Sequence, residues 1–197
     1  MTLVRRLLVI LIAAAAISAA ALTYLYVNRQ GPEATGGIAI GGPIHLTDQD
    51  GAKFDSAVMS GKPYAVFFGY THCPDVCPTT LSDISQATDA IGGNAKDFTT
   101  LFVTIDPERD TQSVMKDYIS NFTAKVVGLT GTPEEVAAVA KEFRVYYAKV
   151  PTSDGGYTMD HTAVVYLMDR HGEFRSVISY NEDHDAYVRK IKEVLAD

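Results

Sequence analysis

The chain has 197 residues, 47% apolar and 21% charged, which excludes an intrinsically disordered protein and suits one ordinary domain plus a further segment. Its net charge is −7 with no block of basic residues, which argues against a nucleic-acid surface, where a positive patch supplies most of the affinity. Two cysteines are too few for a disulfide scaffold, so the fold must rest on a hydrophobic core.

The further segment comes first. Residues 7–27, LLVILIAAAAISAAALTYLYV, carry no charge and follow Arg5 and Arg6. As a helix this run reaches about 31 Å at about 1.5 Å per residue, enough to cross the hydrocarbon of a bilayer. The two arginines favour an N-terminus left in the cytoplasm with the remainder exported. A cleaved signal peptide is the alternative, since Ala19 and Ala21 form an A-x-A-like site. We therefore expect residues 1–27 to be an anchor or signal peptide, 28–37 a polar Gly- and Pro-containing tether, and 38–197 the folded domain.

The domain opens with a predicted β-hairpin turning at Asp50–Gly51. YAVFFGY is a continuous apolar run, as expected of a central strand buried on both faces, and the cysteine-bearing loop follows it directly. Leu81, Ile84, Thr88 and Ile91 then recur at helical spacing, predicting a helix after Pro78. TLFVTI (100–105) reads as a second central strand, ended by the turn DPERD and a helix over 111–121 with Val114, Tyr118 and Ile119 inward. VVGLTG is a further strand, and TPEEVAAVAKEF starts a helix with Thr132 as N-cap, Pro133 in the first turn and Glu135 closing a capping box. Its apolar face is Val136, Val139, Ala140 and Phe143. YYAKV reads as extended, TAVVYLM and FRSVIS as a strand pair joined by DRHGE, and the last helix buries Tyr187, Ile191, Val194 and Leu195. Strands alternating with helices and followed by a hairpin define an α/β sheet with an antiparallel C-terminal part.

The chemistry concentrates in GYTHCPDVCPTTL, which holds Cys73 and Cys77. A loop between a central strand and the next helix is where open α/β sheets bind ligands. If the segment turns helical early, positions i and i+4 share a face, and both sulfurs project the same way. A helix N-terminus also favours the thiolate, the form that binds metals and attacks disulfides. The same spacing puts Cα atoms about 6 Å apart, within disulfide range. Three readings stay open: a structural bridge, an electron-passing dithiol, and a metal chelate.

A chelate needs a third ligand. Among His45, His72, His161, His171 and His184, the candidate is His161, at the entry to a strand that can lie beside the central one. His171 and His184 fall in polar, solvated positions, and His72 points away from its neighbour Cys73. Two thiolates and one imidazole are a soft, three-coordinate set that suits Cu(I); zinc usually takes four ligands.

YTHCPDVCPTTL, TIDPERDT and DHTAVVYLMD, in that order, resemble the Sco/SenC copper-chaperone family over roughly residues 37–196. The resemblance implies a thioredoxin-like fold with an N-terminal β-hairpin extension, preceded by a single transmembrane helix in the inner membrane, with the domain on the periplasmic or equivalent side. It implies copper as Cu(I), with Cu(II) left open, held by Cys73, Cys77 and His161. It implies as partner the CuA-bearing subunit of cytochrome c oxidase, with other copper chaperones or thioredoxin-like reductants as further candidates. Asp160 either orients the histidine or turns the chain into the strand. The loop 106–110 either meets the partner at the metal rim or is a proline turn with Asp110 as the next N-cap. The competing activity is a thiol–disulfide oxidoreductase in which Cys73 and Cys77 are catalytic and reduce the CuA-site cysteines.

Overall fold

The computed structural model describes residues 11–19, 21–23 and 40–197. Residues 11–19 and 21–23 are helical; the rest of the expected anchor and the whole of the tether lie outside the described residues. Among the described residues no helix is long and apolar enough to cross a membrane.

The domain follows the expected α/β plan. Strands β1 (His45–Asp48) and β2 (Lys53–Asp55) form the N-terminal hairpin, whose turn is built by the Asp48 carboxylate accepting the N–H groups of Asp50 and Ala52, both at 2.9 Å. Gly51 supplies the left-handed residue, at φ +85°. Then come β3 (Tyr64–Gly69), α1 (Val76–Ile91), β4 (Thr99–Thr104), α2 (Gln112–Ile119), β5 (Val126–Thr130) and α3 (Pro133–Glu142). The chain ends with β6 (Tyr147–Pro151), β7 (Tyr157–His161), β8 (Val164–Met168), β9 (Phe174–Ser179) and α4 (His184–Ala196).

Seven strands form one sheet in the order β2-β1-β5-β4-β3-β8-β9. β3, β4 and β5 run parallel, while β8 pairs antiparallel with β3 and β1 antiparallel with β5. Every residue of β3 and β4 is buried, as their unbroken apolar runs require of strands covered on both faces. Helix α1 packs on α4, and Met115 and Ile119 of α2 close over Gly128 of β5, where a glycine lets them approach. The capping box at Thr132 and Glu135 forms as its spacing predicts, and Val136, Val139, Ala140 and Phe143 are buried.

One element is absent from the sequence reading. The extended segment 146–150 is half of a two-stranded ribbon: β6 pairs antiparallel with β7, from Tyr147 opposite His161 to Pro151 opposite Tyr157, and neither strand joins the main sheet.

Candidate metal centre

Three connections meet at one edge of the sheet. β3 and β4 are parallel neighbours that end in register at Gly69 and Thr104, so the cysteine loop and the loop 105–111 leave the same edge. β8 runs antiparallel to β3, with Val165 opposite Phe67, so the segment entering β8 arrives there too. This is the carboxyl end of the parallel strands.

The cysteines come together by a different route from the shared helix face expected of positions i and i+4. Helix α1 begins at Val76 after the N-cap Asp75, so only Cys77 is helical. Pro74 disfavours helical backbone at the preceding residue, which holds Cys73 outside the helix. Its sulfur folds back instead and accepts the Cys77 N–H at 3.4 Å, at the positive end of α1. Cys77 is fully buried and Cys73 is 9% exposed; neither is in a disulfide. Beneath them lies Gly69, where a Cβ would stand 2.8 Å from Cys77 Sγ and 2.7 Å from the Phe102 ring, so only glycine lets the sulfur sit against β3.

His161 ends β7 and turns toward this pair. Its Nε2 lies 3.8 Å from Cys77 Sγ, and its Nδ1 is 3.0 Å from the carbonyl of Thr162. A carbonyl only accepts, so Nδ1 donates to it, which fixes the ring with Nε2 as the nitrogen that faces the sulfurs. The Tyr70 ring meets the imidazole edge-on at 6.0 Å. The orienting partner is thus the Thr162 backbone, while Asp160 is exposed on the cleft rim. The other histidines stand apart. His72 is exposed and turned to Thr71 Oγ1 at 3.1 Å and to Asp110, and His45 pairs with Asp55 at 3.5 Å. His171 and His184 are exposed.

Electrostatics separate the two thiols. Hydrogen bonding from Cys77 pulls the Cys73 thiol down to about 3 against the opposing effect of burial, with the His161 ring and the N–H groups of Cys77 and Asp75 acting in the same downward direction. The Cys77 thiol is pushed well above its usual range by donating to Cys73, by burial and by the negative charge beside it. The pair therefore rests as one thiolate and one thiol.

These donors fit a soft, low-coordinate metal ion. With metal–sulfur and metal–nitrogen bonds of about 2.3 Å and about 2.0 Å, a trigonal angle separates S from N by about 3.7 Å. The Cys77–His161 edge already has that length. Among the described residues no group of three His, Cys, Asp or Glu side chains is placed to hold a metal ion as it stands; Cys73 and His161 line a cleft of about 220 Å³, with Cys73, the more exposed thiol, at its mouth. The thioether of Met159, another soft group, lines the same cleft and was not singled out from the sequence. Larger clefts of about 390 Å³, beside Tyr64 and His171, and about 560 Å³, between Lys53 and Glu135, bring together no thiol pair.

The loop 105–111 departs from its N-cap reading. Thr111 caps α2, accepting the Val114 N–H, and Asp110 points inward, fully buried. It accepts the Thr71 N–H at 3.1 Å and the Thr71 and Thr104 hydroxyls at 2.6 Å each. A carboxylate placed to satisfy three donors, two from the cysteine loop and one from the end of β4, is worth more buried than as a surface cap.

Fold and site together define an α/β domain of thioredoxin-like build, bearing a Cys-x3-Cys pair at the carboxyl edge of its sheet and a histidine opposite. The SCO1/SenC family profile matches residues 32–196, and the chain belongs to that family. It is 42% identical to the mitochondrial SCO1 homolog 1 of Arabidopsis thaliana, over 80% of this chain and 46% of that protein. It is 40% identical to an SCO2-like protein of Rickettsia prowazekii, over 70% of this chain and 68% of the relative. The chain thus spans about half the length of the first and two thirds of the second. Among solved structures, Bradyrhizobium japonicum ScoI with copper bound superposes with a TM-score of 0.73 at 49% identity, covering 79% of this chain and 99% of that one.

Proposed function

We propose that this chain is a copper chaperone that holds Cu(I) through Cys73, Cys77 and His161 and delivers it to the CuA-bearing subunit of cytochrome c oxidase during assembly. The carrying observation is the Nε2 of His161 held 3.8 Å from Cys77 Sγ with its proton committed to the Thr162 carbonyl. The copper bound in the structure of Bradyrhizobium japonicum ScoI supports the choice of metal. A soft three-donor set leaves the ion under-coordinated, so an acceptor thiolate enters through the cleft mouth at Cys73 before any donor leaves, and the cargo passes by successive ligand exchange. The uncharged run 7–27 anchors the chain in the inner membrane and places the domain on its extracytoplasmic side, where it meets the oxidase and the copper donors or thiol reductants that recharge it. Anaerobic titration of the reduced protein with Cu(I), read by X-ray absorption, tests this. We expect one ion per chain on two sulfurs and one nitrogen, abolished by oxidising the cysteines; failure to bind at micromolar copper refutes it.

A second activity of the same cysteines is favoured by their asymmetry. Cys73 is the thiolate at the cleft mouth, and Cys77 is the buried thiol behind it. In reducing a target disulfide, the Cys73 thiolate forms a mixed disulfide and frees one target thiolate. Cys77, losing its proton, then attacks Cys73 Sγ, freeing the second target thiolate and leaving the Cys73–Cys77 disulfide. No step uses His161. His161→Ala is expected to lose copper yet still reduce a CuA-type disulfide, and loss of both activities together refutes their separation.

A further inference from the structure

The DPERD loop is buried at both ends, and each end fastens a different half of the site. Asp110 holds the cysteine loop through the Thr71 N–H and hydroxyl. At the other end Asp106, 1% exposed, accepts the Tyr157 hydroxyl at 2.9 Å and pairs with Arg109 Nε. Arg109 Nη1 donates to the Tyr157 carbonyl at 2.9 Å, and its guanidinium lies 3.8 Å over the Tyr157 ring and 5.8 Å from that of Tyr70. Tyr157 is therefore gripped at hydroxyl, carbonyl and ring.

Tyr157 opens β7 and His161 ends it, and residues four apart on a strand face the same way at about 13 Å. The ribbon has no ladder to the main sheet, so side chains must set its position. Of its other ties, Met159 packs into the core and Tyr147 against it, contacts that hold the ribbon down without a direction; Tyr70 to Thr158 is a single hydrogen bond of 2.8 Å, and the pair Lys149–Glu108 is exposed and correspondingly weak. The Arg109 grip is also not optimised for stability alone, because its Nη2 is buried without a hydrogen-bond partner among the described residues.

We propose that Arg109 is a positioning residue for the copper site: with Asp106 it bolts the histidine-bearing ribbon to the frame that carries the cysteines, so that the DPERD loop braces both halves of the site and sets how firmly His161 closes on the ion. This rests on the copper-binding reading above. It assigns the motif to alignment within the chain, where the sequence left a partner-facing rim and a turn as the choices.

Arg109→Gln keeps a polar side chain but is shorter and removes the charge and the two-point bridge. We expect it to weaken Cu(I) binding by roughly 10- to 100-fold, measured anaerobically against a chromophoric chelator, and to lower the nitrogen contribution in the X-ray absorption spectrum while both sulfurs remain. The discriminating readout is the His161→Ala background, in which Arg109→Gln is expected to cost no further affinity. Arg109→Lys, which keeps the cation over the ring but cannot bridge Asp106 and the Tyr157 carbonyl, is expected to fall between. An equal loss in both backgrounds, or no loss in the native one, overturns the proposal. Should Arg109→Gln fail to fold, Tyr157→Phe removes only the hydroxyl bond to Asp106, and its smaller loss must likewise vanish without His161. Amide exchange gives a copper-independent reading: residues 157–161 lose protection in the variant while β3 and β4 keep theirs, and unchanged ribbon protection overturns the proposal. If the native protein binds no copper but the ribbon still loosens, the chaperone reading fails and the brace stands.

Discussion

The two halves of the site sit on unlike supports. The cysteines follow β3, a strand buried along its whole length and hydrogen-bonded on both sides, whereas the histidine ends a ribbon paired only with itself, where Lys149, Val150 and Pro151 face solvent. Backbone ladders fix the first; a few side chains fix the second. On the proposed copper-chaperone reading, which requires an ion to be both held and given up, this division would let one donor withdraw while the other two keep their frame. Local opening draws on regions with few buried contacts, which is where the histidine stands.

The largest test of this contrast is Phe67→Ala. Phe67 is fully buried in β3 and meets Phe102 with ring centroids 5.9 Å apart, so its truncation is expected to cost about 3–5 kcal/mol of global stability in urea unfolding. Amides of β3 and β4 exchange by global unfolding and accelerate accordingly, while ribbon amides, exchanging by local opening, change little. A parallel acceleration in β6 and β7 would make ribbon and sheet one cooperative unit and remove the contrast.

Gly69→Ala sharpens it. The new methyl meets Cys77 Sγ and the Phe102 ring at under 3 Å, and the sulfur or the ring must move. Overpacking of this kind costs about 1–3 kcal/mol. Because the Cys77–His161 edge already has coordination length, the variant is expected to lose Cu(I) affinity with the domain still folded at 25 °C, as seen by circular dichroism and chelator competition. Full affinity in a folded variant would mean the sulfur position is not set by β3.

The main sheet and the cysteines were legible in the sequence, and the ribbon was not. YAVFFGY and TLFVTI announce buried strands because apolarity fills every position, and the Thr132–Glu135 box marks its helix start by chemistry alone. β6 and β7 are exposed or half-buried at every position but Met159, without clean alternation, so the pattern that reports burial is nearly silent there. His161 was therefore placed at the entry to β8, when it closes a strand of its own. Asp110 was read as a cap because sequence shows an acidic residue before a helix but not the three donors that wait for it across the sheet edge. Arg109 gave no signal beyond its motif, since its grip on Tyr157 joins residues 48 apart in the chain.

The smallest expected effect is one of no change. A thiol whose folded pKa is depressed stays thiolate at every pH above that value and is lost only as pH falls through it, here about 3. Alkylation of Cys73 by iodoacetamide should therefore be nearly flat between pH 5 and 8, where an ordinary thiol of pKa about 8.5 accelerates about 1,000-fold. The plateau should be slow for a thiolate, because nucleophilicity falls with basicity. Cys77, raised in pKa and fully buried, should stay unmodified over the same range, which peptide mapping by mass spectrometry resolves. A sigmoidal rise at Cys73 centred near an ordinary thiol value would show that the Cys77 thiol and the helix end do not hold the charge. The cleft mouth would then offer an incoming metal ion a proton to displace instead of a ready anion.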